Sequence, residues 1–315
     1  RTHLRYLSDV DDDAQTDADG DGVSDVDADS TSTNVEDAIT NWAASLADVE
    51  TPFFLYLVDH GGIDAFLTDG SGDTITPDEL DGWLSVLKDE GVPVNVVYEA
   101  CHSGSFIDGL KAISRPGRVV IASTGRLNNA YPSRQGAFFS DAFFTQLGQC
   151  KDLYTSFRAA MAAVEATGLW QTPWLDDNGD GAPDDNDGGL ARQRGLPRCG
   201  FRDHPPVIDR VVPPASIVDG DGVLRAQVRD DSSTAVDVWA VVYPPSFEEP
   251  APTEDGIIPD LGLPRVELSD SDGDGEYVGL YENFTEDGAY HVVVYARDKA
   301  GNHALPAVTT VRTKW

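Results

Sequence analysis

Val94-Asn95-Val96-Val97-Tyr98-Glu99-Ala100-Cys101-His102-Ser103-Gly104-Ser105 is the stretch on which the fold of this chain turns. Val94 to Tyr98 is a nearly continuous apolar run, as expected of a strand buried on both faces of a parallel sheet, and it ends abruptly in small and polar residues. Upstream, Pro52 opens a second such run, Phe53 to Val58, which ends in Asp59-His60-Gly61-Gly62; downstream, Arg118 to Ala122 makes a third. Each is short, largely apolar and stopped by turn residues.

Helical patterns lie around these runs. Val35, Ala38, Ile39, Trp42 and Leu46 recur at helical spacing over Asn34 to Leu46. Thr76-Pro77-Asp78-Glu79 is a capping box with Pro at the first helical position, opening a helix that runs to about Lys88. Phe138 to Leu147 and Thr155 to Ala166 read as further helices, and Leu4 to Leu7 as a short strand before an Asp-rich loop over Asp9 to Asp29. Buried strands alternating with helices imply a three-layer α/β/α sandwich with a mostly parallel sheet. From about His204 the texture changes to alternating strands (Val223 to Val228, Val236 to Val242, Tyr277 to Tyr281, Tyr290 to Ala296) separated by Asp-Gly turns, the pattern of an all-β sandwich. Pro205-Pro206 marks the boundary, giving domains 1–203 and 204–315.

In open α/β sheets the carboxyl ends of the strands form the binding edge, and this sequence puts His60 and Cys101 at two such ends. Acyl transfer by cysteine needs a thiolate, a group that protonates the leaving amine and N–H donors for the oxyanion. Gly61-Gly62 after the His and Ser103-Gly104 beside the Cys leave backbone amides accessible for the last task. Either residue alone reads as a turn histidine or a buried small hydrophobe; the pair, in order, carries the chemistry.

Asp59-His60-Gly61 and Glu99-Ala100-Cys101-x-Ser103-Gly104-Ser105 resemble the legumain-type peptidases, relatives of caspases, metacaspases and gingipains. Cys101-His102-Ser103-Gly104 also resembles the metacaspase form. Gln171 to Gly181 is similar to the end of the peptidase domain in bacterial members, and Val292 to Asn302 resembles the last strands of bacterial immunoglobulin-like modules. The resemblance implies a caspase-like fold followed by an immunoglobulin-like sandwich. It implies Cys101 as nucleophile, His60 as proton carrier and the amides of Gly61 and Cys101 as oxyanion hole, with Glu99, Ser123 and Thr124 around the primary specificity pocket. It implies a protein or peptide substrate. It also implies a further central strand between Leu4 to Leu7 and Phe53 to Val58; the chain then reads as a cleavage product or a fragment of a longer protein, held beside an N-terminal piece that supplies the strand, with autoprocessing the natural route.

The chain has 315 residues, with 22 basic against 55 acidic side chains and a formal charge of −33, which repels nucleic acid and anionic membranes. No apolar run is long enough to span a bilayer. Much of the acid sits in Gly-rich clusters where alternate side chains are spaced to wrap a hard cation. Asp17, Asp19, Asp21 and Asp25 form one candidate calcium loop, and Asp176, Asn178, Asp180 and Asp184 a second. Asp270, Asp272, Asp274 and Glu276 read equally as a polar hairpin turn. The three cysteines, Cys101, Cys150 and Cys199, leave one unpaired; Cys150 and Cys199 read either as a disulfide or as reduced structural residues. An extracellular, periplasmic or cell-surface location is expected. The competing function is a catalytically silent, calcium-binding surface or adhesion module. A serine esterase lacks its Gly-x-Ser-x-Gly elbow and a zinc hydrolase its His-Glu-x-x-His.

Overall fold

The computed structural model describes residues 3–8, 17, 22–68, 73–89, 91–109, 112–133, 137–196, 204–230, 237–250 and 261–314. Asp19, Asp21, Cys199 and most of the Asp9 to Asp29 loop lie outside them. By contacts the chain forms two compact units interleaved in sequence: residues 1–131 and 171–193 belong to the first, 132–170 and most of the chain from 194 onward to the second.

In the first unit, β1 (Phe53–Val58), β5 (Val94–Glu99), β6 (Arg118–Ala122) and β7 (Trp174–Asp176) form one sheet in the order β1-β5-β6-β7. The first three run parallel and β7 closes the sheet antiparallel to β6. Every residue of β5 and β6 is buried, so both faces of the central sheet are covered as expected. Beside it stands a small antiparallel sheet of β2 (Gly61–Gly62), β3 (Ala65–Leu67) and β4 (Thr74–Ile75).

Helix α1 (Ser32–Asp37) starts at Thr31, whose hydroxyl accepts from the Asn34 N–H, and continues as a π turn (Ala38–Trp42) and a 3-10 turn (Ala43–Ser45) rather than the single α-helix expected to Leu46. Helix α2 (Pro77–Asp89) has the capping box read in the sequence: the Thr76 N–H and hydroxyl both donate to Glu79, at 2.9 and 2.6 Å. Its Leu80, Leu84 and Leu87 are fully buried on one face and join Val94, Val96 and Tyr98 of β5 in one core cluster. Burying a leucine side chain is worth about 1.5–3 kcal/mol, so this face anchors the helix.

Two strand expectations are corrected. Leu4 to Leu7 is no strand of this sheet: Leu7 makes a single parallel bridge to Ala28, while Leu4 and Tyr6 are exposed and have no apolar face to bury. β1 is the outermost strand of the sheet among the described residues, and Tyr56 and Val58 are exposed, where a fully buried strand was expected.

The second unit contains α3 (Phe138–Gly148), α4 (Leu153–Thr167) and an all-β sandwich. Asp152 caps α4, accepting from the Thr155 N–H at 2.8 Å, and Gly168 ends it with φ +72°. One sheet holds β8 (Val207–Val212), β9 (Ile217–Val218), β10 (Asp221–Arg229) and β13 (Glu276–Tyr281). The other holds β11 (Asp237–Tyr243), β12 (Arg265–Leu268), β14 (Gly288–Arg297) and β15 (Ala307–Thr313). Leu224, Ala226 and Val228 share a core with Val238, Ala240, Val292 and Val294, which makes the two sheets a sandwich. Cys150 is disulfide-bonded and Cys101 is free.

Candidate active site

The register of the parallel strands builds the site. Val58 pairs with Glu99, and Tyr98 with Ala122, so β1, β5 and β6 end at one level. Asp59-His60, Ala100-Cys101 and Ser123-Thr124 therefore leave the sheet side by side at its carboxyl edge, and the Asp59 N–H still donates to the Glu99 carbonyl at 3.3 Å.

After His60 the chain folds into a tight hairpin. Gly61 and Gly62 pair with Phe66 and Ala65, and the Leu67 N–H donates to the His60 carbonyl at 3.1 Å, so the ladder reaches the histidine itself. His60 is exposed, and Asp64 turns the hairpin with φ +59°. Gly61 is the point of closest approach to Cys101. A Cβ built there would lie 2.5 Å from the Cys101 carbonyl oxygen and 2.9 Å from the Ala100 Cβ. Only glycine lets the two strand ends meet this closely.

The turn that carries Cys101 is held from several sides. Cys101 is buried, and its Sγ–H donates to the Ala130 carbonyl at 3.7 Å. His102 takes the left-handed conformation, φ 58°. Its N–H donates to the Asn128 carbonyl at 2.9 Å, and its Nδ1 lies 3.0 Å from the Arg126 carbonyl, an acceptor that makes Nδ1–H the donor. That ring is fastened to the loop after β6. The Ser103 hydroxyl accepts from the Thr124 N–H at 3.2 Å and lies 3.5 Å from the Ser123 hydroxyl.

Ser123 and Thr124 are fully buried behind this turn, with the Ser123 carbonyl also accepting from Gln171, and Glu99 is buried at the end of β5. Burial pushes the Cys101 thiol up to about 11; the nearby Glu99 charge adds to the rise and backbone hydrogen bonding opposes part of it. The thiol is therefore protonated at neutral pH, so attack on a carbonyl requires a base to take its proton.

Sequence reasoning missed several residues that shape the site. Tyr98, fully buried, packs edge-to-face on Phe66 of the hairpin at 5.4 Å and on Phe106 of the nucleophile turn at 4.7 Å, tying both loops to β5. The Asn128 and Ala130 carbonyls hold the turn, and Asn129 between them is 1% exposed with neither side-chain amide atom hydrogen-bonded among the described residues. Arg126 joins the hairpin to the nucleophile turn.

The acidic loops are only partly in view. Asp17 accepts from the Gly22 N–H and Asp25 is buried. In the second loop Asp176 is buried and accepts from the N–H groups of Gly179 and Gly181. Asn178, Asp180 and Asp184 each accept from the N–H two residues on. Oxygen donors at alternate positions around left-handed glycines suit a hard cation. Two acids that the sequence did not single out brace this segment. Asp177 accepts from the N–H groups of Gly188, Leu190 and Ala191; Asp187 accepts from those of Asp177 and Asp184, and burial raises its pKa. Among the described residues, the carboxylates that converge within 4.8 Å are those of the third loop, Asp270, Asp272 and Asp274.

Fold and site together support a cysteine peptidase. Residues 47–160, which include His60, Cys101, Glu99, Ser123 and Thr124, match the model of the Peptidase C13 family. The mixed α/β architecture and the order of the two motifs agree with that match. A search of curated proteins finds no match. Solved structures are similar only distantly. Pro-sf-caspase-1 is 15% identical over 55% of this chain and 87% of its own, with a TM-score of 0.33. The PKD domain of an M14-like peptidase from a Thermoplasmatales archaeon is 15% identical over 36% of this chain and 99% of its own, with a TM-score of 0.23. The vertebrate protein Astrotactin-2 is 19% identical over 50% and 29%, with a TM-score of 0.25. No helix among the described residues is long and apolar enough to cross a membrane.

Proposed function

We propose that the chain is a cysteine endopeptidase in which Cys101 attacks the scissile carbonyl. His60 takes the thiol proton and delivers it to the leaving amine, and the Gly61 and Cys101 amides receive the oxyanion. The carboxyl-terminal product leaves as the free amine; water then attacks the thioester, releasing the amino-terminal product with its new carboxylate and returning a proton to the thiol. The observation that carries this reading is the apposition of the two strand ends, with Gly61 packed against the Cys101 carbonyl. Glu99, Ser123 and Thr124 are proposed to set the primary specificity pocket.

One observation favours a second reading, a catalytically silent calcium-binding module. The Cys101 thiol is buried, protonated and hydrogen-bonded to Ala130. Covalent capture separates the two. A panel of peptidyl acyloxymethyl ketones should label Cys101 in the native protein at pH 7, and not after unfolding in urea. Iodoacetamide, which engages no peptide-binding site, should react slowly at pH 7 and faster as pH climbs toward about 11. Native protein that no peptidyl probe labels would favour the silent module.

Calcium is proposed at Asp17, Asp19, Asp21 and Asp25 and at Asp176, Asn178, Asp180 and Asp184, where side-chain oxygens at alternate positions in sequence would wrap a hard cation. Adding a chelator to protein held in millimolar calcium should lower the melting temperature by on the order of 5 °C. An unchanged melting curve would leave these loops as solvated surface. The disulfide at Cys150 supports an extracellular, periplasmic or cell-surface location, because disulfides persist in oxidising compartments. An immunoglobulin-like assignment of the sandwich, and processing of a longer precursor whose N-terminal fragment stays associated, complete the proposal.

A further inference from the structure

The hairpin that begins at His60 is a rigid lever. Its ladder runs from His60 to Leu67, so fixing its tip at Asp64 fixes the backbone from which His60 projects. The tip is fixed from two directions. The Asp64 N–H donates to the Ser105 hydroxyl of the nucleophile turn at 2.9 Å, and the Asp64 carboxylate accepts from the Arg126 guanidinium at 2.8 Å.

Arg126 reaches both loops at once. While one terminal nitrogen holds Asp64, the other donates to the Asp108 carbonyl at 2.9 Å and the Asp108 carboxylate at 3.1 Å, just beyond the nucleophile turn, and lies 3.5 Å from the Ser105 carbonyl. Its own backbone is part of the same assembly. The Arg126 carbonyl accepts from His102, and a Cβ on Gly104 would lie 2.7 Å from the Arg126 nitrogen. A planar guanidinium with donors in a fixed fork is suited to holding two partners at a set separation, which a lysine cannot do.

We infer that Arg126 is a positioning residue: through Asp64 and Asp108 it sets the placement of His60 relative to Cys101. The assignment rests on the peptidase reading for its catalytic consequence, and on geometry alone for its structural one. The side chains of Arg126, Asp64 and Asp108 are 27%, 51% and 38% exposed. Ion pairs this open to water add little to global stability, so their effect is expected in placement rather than in melting.

The test pairs a kinetic readout with one that needs no activity. Arg126→Ala should leave the melting temperature nearly unchanged and lower kcat about 10- to 100-fold with little change in KM, the scale of loss from a slightly misplaced catalytic group. Asp64→Gly, which removes the carboxylate without straining the left-handed turn, should also lower kcat, and the double variant should be no worse than Arg126→Ala alone, because Arg126→Ala already removes the Asp64 link. Added guanidinium ion should restore part of the kcat of Arg126→Ala in a saturable manner, and Arg126→Lys, which keeps the charge but holds one partner at a time, should fall between. In parallel, amide hydrogen exchange over residues 60–67 should quicken at least about tenfold in Arg126→Ala while residues 94–99 stay protected.

Losses that multiply in the double variant, or full kcat in Arg126→Ala, would overturn the inference. If the wild type shows no hydrolysis that depends on Cys101, the peptidase reading fails by itself, and hydrogen exchange alone decides the clamp: unchanged exchange over 60–67 refutes it.

Discussion

Replacing Cys101 with Ala is expected to lower kcat/KM for any peptide substrate by at least about 10³-fold while leaving the fold in place, because it deletes the only atom able to form the acyl-enzyme. The side chain is buried, so losing one sulfur costs on the order of 1 kcal/mol and shifts melting by a few degrees. His60→Ala should produce a loss of similar scale with no change in melting, since His60 is exposed. Because the two act as one unit, the double variant should be about as inactive as either single one. The thiol also leaves a signature in stability. Its pKa rises from 9.0 to about 11 on folding, so the native state keeps a proton that the unfolded chain releases. That contribution is fully present below pH 9 and fades as pH rises through 11, by about 3 kcal/mol in all, and Cys101→Ala should lack this decline. Near wild-type turnover in either single variant would remove the mechanism.

Gly61→Ala should be the most damaging change that touches no reactive atom. The added methyl would stand 2.5 Å from the Cys101 carbonyl oxygen and 2.9 Å from the Ala100 Cβ. The first is backbone and cannot rotate away, so the hairpin and the nucleophile turn must part. A forced core shift of this kind costs about 1–3 kcal/mol, and separating the two strand ends should reduce kcat by about 100-fold or more. Gly82→Ala in α2 is the matched control. Nothing lies within 4 Å of its new methyl, and alanine there should stabilise the helix by about 0.5–1 kcal/mol with activity intact. Wild-type melting and turnover in Gly61→Ala would show that the two loops are not packed as described.

The two strand ends that carry His60 and Cys101 were legible for a physical reason. Val94 to Tyr98 and Phe53 to Val58 are apolar runs cut off by polar and small residues, and a parallel sheet puts all such cut-offs at one edge. Pattern could not tell an edge strand from a central one. β1 was expected to be buried, and only the pairing shows Tyr56 and Val58 in the open.

The hairpin after His60 escaped because its strands are two and three residues long, below any periodicity. Asn128 and Ala130 act on the Cys101 turn through backbone carbonyls, which have no sequence signature, and the Arg126 guanidinium finds its partners 18 and 62 positions away in sequence. In the run Asp176-Asp177, alternate spacing singled out the first acid, yet Asp177 is the one that gathers three backbone N–H groups. Two neighbouring carboxylates look alike until the chain's path is known.

The interleaving of the two units bears on the order in which the chain is made. Residues 132–170 emerge between the two main segments of the first unit, but their own partners come much later. Ala166 accepts from His291, 125 positions on, and Thr145 accepts from the backbone of His303, 158 positions on. At about 5–20 residues per second, a ribosome needs roughly 10 to 30 s to deliver those strands. Throughout that interval the Ala166 carbonyl and the Thr145 hydroxyl wait without these partners. Contacts this distant in sequence also slow refolding from denaturant. A peptidase assembled in this order would have its nucleophile strand synthesised early and its second unit completed last.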